Sequence, residues 1–353
     1  MRIALDATPL CLPGSGLRRY VTELSGALAN EFAGDEFVLA SDQPFPPPPR
    51  APANLSCLPG PQNRVERRWW SFGLNRALSR CSVEVFHGCN FEVPYVPLRP
   101  SVLTLHDLSP WLDPSWHDGA DRVRSRVPRL LRSGAATMVI TPTEAVRRHA
   151  IEHFRLAAAR VVAVPEAAAA HLQVCSPPPG AGRYFLFVGA LEPRKNLEML
   201  VEAWRSVRAR CGADLVLAGC CRPGYVAPAP CEGLRVPGEV PDDQLAALYS
   251  GALAFVYPSL YEGFGLPVIE AMQCGAPVIA SRDPAIAEVA GGAAVLVDAR
   301  DPRAWAEAML AATSGSEWPS AWRSRSLERS RQFSWARTAR LTREVYDEAV
   351  RRF

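Results

Sequence analysis

Short apolar runs alternate with longer stretches in which apolar residues recur every three or four positions. Runs at 2–7, 36–40, 83–87, 102–106, 137–140 and 161–164 are rich in Val, Ile, Leu and Phe. They read as strands buried on both faces. Between them, 18–31 sets Tyr20, Leu24, Leu28 and Phe32 at helical spacing, and 69–79, 122–132 and 144–154 also read as helices. Strand and helix in alternation predict a parallel sheet covered on both faces. The pattern then restarts, with strands at 184–188, 214–218, 254–257, 277–281 and 295–297. Helices follow at 197–208, 242–251, 267–273 and 302–312. The tail, 333–353, reads as one amphipathic helix with Trp335, Leu341, Val345, Tyr346 and Val350 as its apolar stripe.

With 353 residues the chain exceeds what one hydrophobic core usually serves. The proline- and glycine-rich stretch 176–182 reads as a stiff linker. The expected organisation is therefore an α/β domain at 1–175, a second at 183–332, and the tail helix at 333–353, whose apolar stripe suits docking. Two such sheets predict a ligand cleft between domains, at the carboxyl ends of strands. The proline run 44–49 reads as an extended surface spacer.

Composition narrows the function classes. A formal charge of +3, with no basic run interleaved with aromatics, excludes a nucleic-acid-binding surface. No run of about eighteen apolar residues is present, and the N-terminus is too short and polar for a signal peptide, which predicts a cytoplasmic protein. The ten Cys are scattered without a Cys-x-x-Cys pair. Cys211, Cys220, Cys221 and Cys231 come nearest to a metal set but lack the spacing, so reduced thiols are the expectation. Among 39 basic residues Lys195 is the one lysine. An ammonium is a compact point charge unlike a guanidinium fork, so a lysine in an arginine-based chain points to function.

The most informative block is 258–272, Pro-Ser-Leu-Tyr-Glu-Gly-Phe-Gly-Leu-Pro-Val-Ile-Glu-Ala-Met. Glu262 and Glu270 flank a glycine turn that runs into a helix start, with Pro267 suited to the first turn. The amides of Phe264, Gly265 and Leu266 then point out of a helix N-terminus. Amides donate to hydroxyl oxygens and carboxylates accept from hydroxyl protons, which suits a sugar or a ribose.

These motifs resemble the retaining glycosyltransferases of family four. The resemblance rests on that block, on Val188-Gly189-Ala190-Leu191-Glu192-Pro193-Arg194-Lys195-Asn196, and on Leu105-His106-Asp107-Leu108-Ser109-Pro110. Gly14-Ser15-Gly16-Leu17-Arg18-Arg19-Tyr20 and Phe333-Ser334-Trp335 complete it, so it covers nearly the whole chain. It implies an α/β GT-B fold, two facing Rossmann-like domains with the C-terminal helix crossing back. It further implies a nucleotide-sugar donor, a hydroxyl acceptor that is a glycan, a lipid-linked or a small molecule, and no metal or other cofactor. On that basis Lys195 and Arg194 take the donor diphosphate and Glu270 the ribose. Glu262 and the turn Gly263, Phe264, Gly265 and Leu266 take the transferred sugar. Gly16 approaches the diphosphate and His106 lies near the anomeric carbon. The implied chemistry is same-face displacement, with Glu262 positioning the sugar.

Three departures from the family pattern stand out. Ala190 replaces a common arginine, Arg18 replaces a second glycine, and Pro165-Glu166-Ala167 replaces Pro-Asn-Gly. Similarity to surface-polysaccharide mannosyltransferases makes GDP-mannose the leading donor, with UDP-glucose and dTDP-rhamnose as alternatives. A sugar-nucleotide epimerase, a phosphorylase and a non-catalytic nucleotide-sugar-binding subunit are the rival readings. Asp107 reads as a turn cap, and His87 and Asn90 as strand-end residues open to an acceptor role or a structural one. Arg64, Arg67, Arg68, Trp69 and Trp70, and the arginines at 122, 124, 126, 129 and 132, read as solvated faces or as peripheral membrane contacts.

Overall fold

The structure is a computed structural model and describes residues 1–11, 16–48, 51–117, 119–178, 180, 182–315 and 317–353. The described chain forms two compact units, residues 1–166 with 334–353, and residues 167–333. The first unit therefore ends at Glu166, upstream of the proline-rich stretch expected to link the domains. The segment after it belongs to the second unit, where Gln273 Nε2 donates to the carbonyls of Ala169 and Leu172 at 2.8 and 2.7 Å. Pro179 and Ala181 of that stretch lie outside the described residues, as do Pro49, Gly14 and Ser15.

The first unit runs β1 (Arg2–Asp6), α1 (Gly16–Glu31), β2 (Glu36–Ala40), β3 (Leu55–Cys57), α2 (Leu74–Arg80), β4 (Val85–Gly88), β5 (Ser101–Thr104), α3 (Ser109–Leu112), α4 (Asp121–Arg132), β6 (Met138–Thr141), α5 (Glu144–Phe154) and β7 (Val161–Ala163). Its seven strands are all parallel in the order β3-β2-β1-β4-β5-β6-β7. The central strands are apolar because both faces are covered: Ile3, Ala4, Leu5, Val85 and Phe86 are fully buried.

The second unit runs β8 (Tyr184–Val188), α6 (Leu197–Cys211), β9 (Asp214–Ala218), β10 (Leu234–Gly238), α7 (Asp242–Gly251), β11 (Ala254–Tyr257), α8 (Leu266–Gln273), β12 (Val278–Ser281), α9 (Pro284–Ala290), β13 (Val295–Val297), α10 (Pro302–Ala311) and α11 (Glu317–Ser330). Its parallel sheet has the order β10-β9-β8-β11-β12-β13. The direction of winding reverses between β8 and β11. At such a reversal the loops leaving two neighbouring strands diverge and open a crevice at their carboxyl ends.

The last helix, α12 (Trp335–Arg352), returns to the first unit and packs against α1. Ser334 Oγ caps it by accepting from the Arg337 amide at 3.2 Å. Its buried face is Trp335, Thr338, Ala339, Thr342, Val345, Tyr346 and Ala349. The expected stripe is corrected at two places, since Leu341 is half-buried and Val350 exposed. The small residues Ala339, Thr342 and Ala349 let the helix lie close to its neighbours. Arg343 anchors it to Asp35 at 2.6 Å.

Candidate active site

In the second unit the loops leaving β8 and β11 meet at the winding reversal. The first carries a 3-10 turn, Pro193–Lys195, closed by Asn196 in the left-handed conformation at φ 57°. Asn196 Nδ2 donates to the Ala299 carbonyl at 2.6 Å, which fixes the turn. Lys195 Nζ then donates to Glu262 Oε1 at 2.5 Å and to the Tyr257 hydroxyl at 2.8 Å. An ammonium has three donors, so one N–H of Lys195 is left for a ligand. Arg194 holds the other oxygen of Glu262 at 3.0 Å and Glu192 at 2.8 Å, and Arg222 holds Glu192 from its far side at 2.9 Å. Arg194 and Lys195 are thus brought to Glu262. Glu192, Tyr257 and Arg222 are members the sequence reading missed. Glu192 stood within the quoted motif, but nothing in its spacing pointed to a bridge.

Burial alone would push the Glu262 carboxyl up; Arg194 and Lys195 outweigh it and hold the group down at about 2. Glu262 is therefore an ionised acceptor at neutral pH and has no proton to give. Lys195 is pushed below the usual lysine range by burial and by the Arg194 guanidinium, against the pull of Glu262 and Glu192.

Gly263 and Phe264 are buried and lead into Gly265, which precedes α8 in the left-handed conformation at φ 86°. A side chain would be strained there, which explains the glycine. Leu266 is the first residue of α8, so its amide and that of Gly265 belong to the helix's open end. Glu270 lies in the second turn of α8 rather than the first, buried, and accepts from the Tyr249 hydroxyl at 3.1 Å. Beneath the site the loops after β8 and β9 are in van der Waals contact. A Cβ on Gly219 would lie 1.9 Å from the Gly189 carbonyl oxygen, and Gly219 itself has φ 144°.

In the first unit His106 follows β5. Its Nε2 donates to the Cys89 carbonyl at 2.9 Å and its Nδ1 faces Glu166 Oε1 at 3.3 Å. Burial works against its charge, but Glu166 and the Cys89 carbonyl outweigh that and raise it. An acceptor on each nitrogen favours the charged form of His106. Glu166 was passed over in the sequence, although it stands where the chain departs from the family's Pro-Asn-Gly.

His87 proves structural rather than acceptor-facing. It is fully buried, with Nδ1 2.7 Å from the Tyr346 hydroxyl of α12 and Nε2 2.7 Å from Thr104 Oγ1, which lies 3.0 Å from the Tyr20 hydroxyl. Burial, with His106 nearby, drives its pKa down to about 3, so it is neutral. Asp6, at the end of β1, is buried and pushed up to about 7, by burial against the donors of Thr8. Asp107 caps its turn by accepting from the Ser109 amide at 2.8 Å. Gly16 opens α1 and is exposed. Of the basic-aromatic patch, Trp69 is buried and Trp70 packs edge-on against Phe86, while Arg124 and Arg126 pair with Asp121 and Glu92.

The chain matches the Glycosyltransferase Family 4 description over residues 14–168 and Glycosyl transferases group 1 over residues 182–314. It is 34% identical over 284 residues to the O-antigen chain mannosyltransferase B of Escherichia coli, covering 74% of each chain. Among solved structures, sucrose-phosphate synthase from Thermosynechococcus elongatus superposes with a TM-score of 0.74 at 20% identity, covering 99% of this chain and 98% of that one. Anabaena HepE in complex with UDP and glucose also reaches 0.74, at 16% identity, covering 99% of this chain and 100% of that one. The two parallel-sheet, Rossmann-like units with a C-terminal helix are the GT-B class of fold. The chain belongs to the family 4, group 1 glycosyltransferases and is a glycosyltransferase. Among the described residues, no helix is long and apolar enough to cross a membrane.

Proposed function

We propose that this protein transfers a mannosyl group from GDP-mannose to a hydroxyl of a growing glycan, with retention at the anomeric carbon and without a metal. The carrying observation is the Lys195–Glu262–Arg194 cluster at the winding reversal of the second unit, beside the open end of α8. In this reading Lys195 turns its third N–H, and Arg194 part of its fork, to the diphosphate, whose charge grows as the glycosidic bond breaks. Glu270 accepts from the ribose hydroxyls. Glu262, kept ionised, accepts from the sugar hydroxyls, while the amides of Phe264, Gly265 and Leu266 donate to their oxygens. Gly16 is assigned to the diphosphate and His106 to the surroundings of the anomeric carbon, where, with both ring nitrogens already on Cys89 and Glu166, it positions rather than donates. The mannose assignment follows the name of the Escherichia coli relative.

Thermal melting with GDP-mannose, UDP-glucose and dTDP-rhamnose tests the donor. GDP-mannose should raise the melting temperature, and Lys195→Met should abolish the rise. Silence across the panel overturns the reading. The anomeric proton coupling of the product, read by NMR, decides retention, and unchanged turnover in excess EDTA decides metal independence.

A further inference from the structure

In the second sheet β11 lies between β8 and β12, so the loop that carries Glu262 is flanked on both sides. On the β8 side Arg194 and Lys195 take both carboxylate oxygens, and Arg194 Nη1 also donates to the Tyr261 carbonyl at 2.6 Å. On the other side stand the end of β12 and the start of α9. There Ser281, the last residue of β12, donates its hydroxyl to the Ser259 carbonyl at 2.6 Å. Ile286 of α9 is fully buried against the glycine that ends the turn, since a Cβ on Gly265 would lie 3.7 Å from its Cγ1.

Asp283 sits between these two contacts in the chain. It is buried and caps α9, its Oδ1 accepting from the Ala285 and Ile286 amides at 3.0 and 3.1 Å. The backbone amide of Glu262 also donates to this carboxylate. One side chain thus joins the mouth of α9 to the residue on which the cations converge. Burial, with the Glu262 charge nearby, pushes Asp283 up to about 6, against the amides of Ile286, Glu262 and Ala285. A cap alone does not require that second buried carboxylate, because asparagine and serine cap helices about as well. Asparagine, however, sets an NH2 where the Glu262 amide needs an acceptor, and serine is too short to serve both ends.

A turn fastened only through a side chain can pivot about it. Arg194 and Lys195 draw the Glu262 carboxylate toward the β8 loop. A tie on the Glu262 amide from the β12 side removes the pivot. The carboxylate and the amides that follow it then keep one direction, and hydrogen bonds weaken steeply when that direction is lost.

We propose that Asp283 is a positioning residue for the transfer: it fixes the Glu262 turn from the α9 side and so aims the carboxylate and the turn amides at the transferred sugar. The sugar's place rests on the donor reading above; the tie between Asp283 and Glu262 does not.

Asp283→Asn and Asp283→Ser both keep a cap on α9, so each should melt within about 3 °C of the wild type. With no ligand present, amide exchange at Glu262, followed by NMR in the full chain isotope-labelled on glutamate, should speed up about tenfold in both. Calorimetry with GDP and with GDP-mannose then separates positioning from general damage. GDP should bind the variants as it binds the wild type, while the ratio of the two affinities should move about tenfold against GDP-mannose. Unchanged exchange at Glu262, or equal weakening of both ligands, overturns the proposal. A larger drop in melting temperature shared by both variants would make Asp283 a structural cap and overturns it too. If exchange speeds up but the wild type binds neither ligand, the tie stands and the donor reading falls. Unchanged exchange with intact GDP-mannose binding removes the tie and leaves the donor.

Discussion

The two units build the same reversal of strand order and fill it in opposite ways. In the second, the loops after β8 and β11 bring full charges together, and Glu262 is held ionised by Arg194 and Lys195. In the first, the ends of β1, β4 and β5 are packed largely with uncharged groups: His87 at about 3 and the hydroxyls of Thr104, Tyr20 and Tyr346, with Asp6, at about 7, partly protonated at neutral pH. His106 with Glu166 is the exception, and it stands beside that network with the Tyr20 ring edge-on at 4.7 Å. Burial penalises charge in both crevices. One unit meets the penalty with counter-ions and the other by leaving the charge off. A crevice of ion pairs can exchange partners with an anionic ligand, whereas a neutral network mainly fixes geometry.

Removing the counter-ion arrangement should do most damage. Glu262→Ala leaves two buried cations facing each other, and the second unit should lose about 3–5 kcal/mol in urea unfolding. A loss under about 1 kcal/mol would mean the cluster is solvated and the contrast false.

Next comes the neutral side. Asp6 has a folded pKa near 7 against 3.8 for the free group. Folding therefore favours the protonated form; that stability is whole below about pH 4 and is lost as pH rises through 7. Asp6→Asn, which keeps the acceptor for Thr8, should match the wild type near pH 4 and exceed it at pH 8 by on the order of 3 kcal/mol. A pH-independent difference would put a charge where the comparison has none. Glu262 runs the other way: its contribution is present above pH 4.5 and fades as pH falls toward 2.

Tyr346→Phe should cost about 1–2 kcal/mol, because the buried His87 Nδ1 loses its partner. The imidazole resonances should shift while those of the second unit stay in place. Smallest is Arg222→Ala, whose partly exposed guanidinium meets Glu192 at 2.9 Å. Its loss should stay below about 1 kcal/mol, with donor affinity rather than stability reporting it.

Central strands were legible because continuous apolar runs have one explanation when both faces are covered. Residues 36–40, 184–188, 214–218, 254–257 and 295–297 form strands at the places read. The edge strands β3 and β10 went unseen, since each buries a single side chain, Leu55 and Leu234, and leaves the rest at least partly open. Helix α9 was missed at only seven residues, and α11 because it buries little beyond Ser326 and Ser330. A turn of π-helix at Trp69–Gly73 stands where an α-helix was expected to begin. At the site, Lys195 and Glu262 were readable because local motifs carry them. The His87–Tyr346 pair was not, since 259 residues separate its members and only the folded sheet joins them. The raised pKa of Asp6 was hidden for the same reason, because burial is a property of the fold.

The return of α12 to the first unit sets an order of events during synthesis. The second unit, residues 167–333, leaves the ribosome as an uninterrupted stretch and can fold while the chain is still growing. The first must wait, its inner histidine lacking the tyrosine that lies far downstream. The half that is made earlier is thus finished later, and a chaperone should hold nascent chains longest just before the final helix emerges.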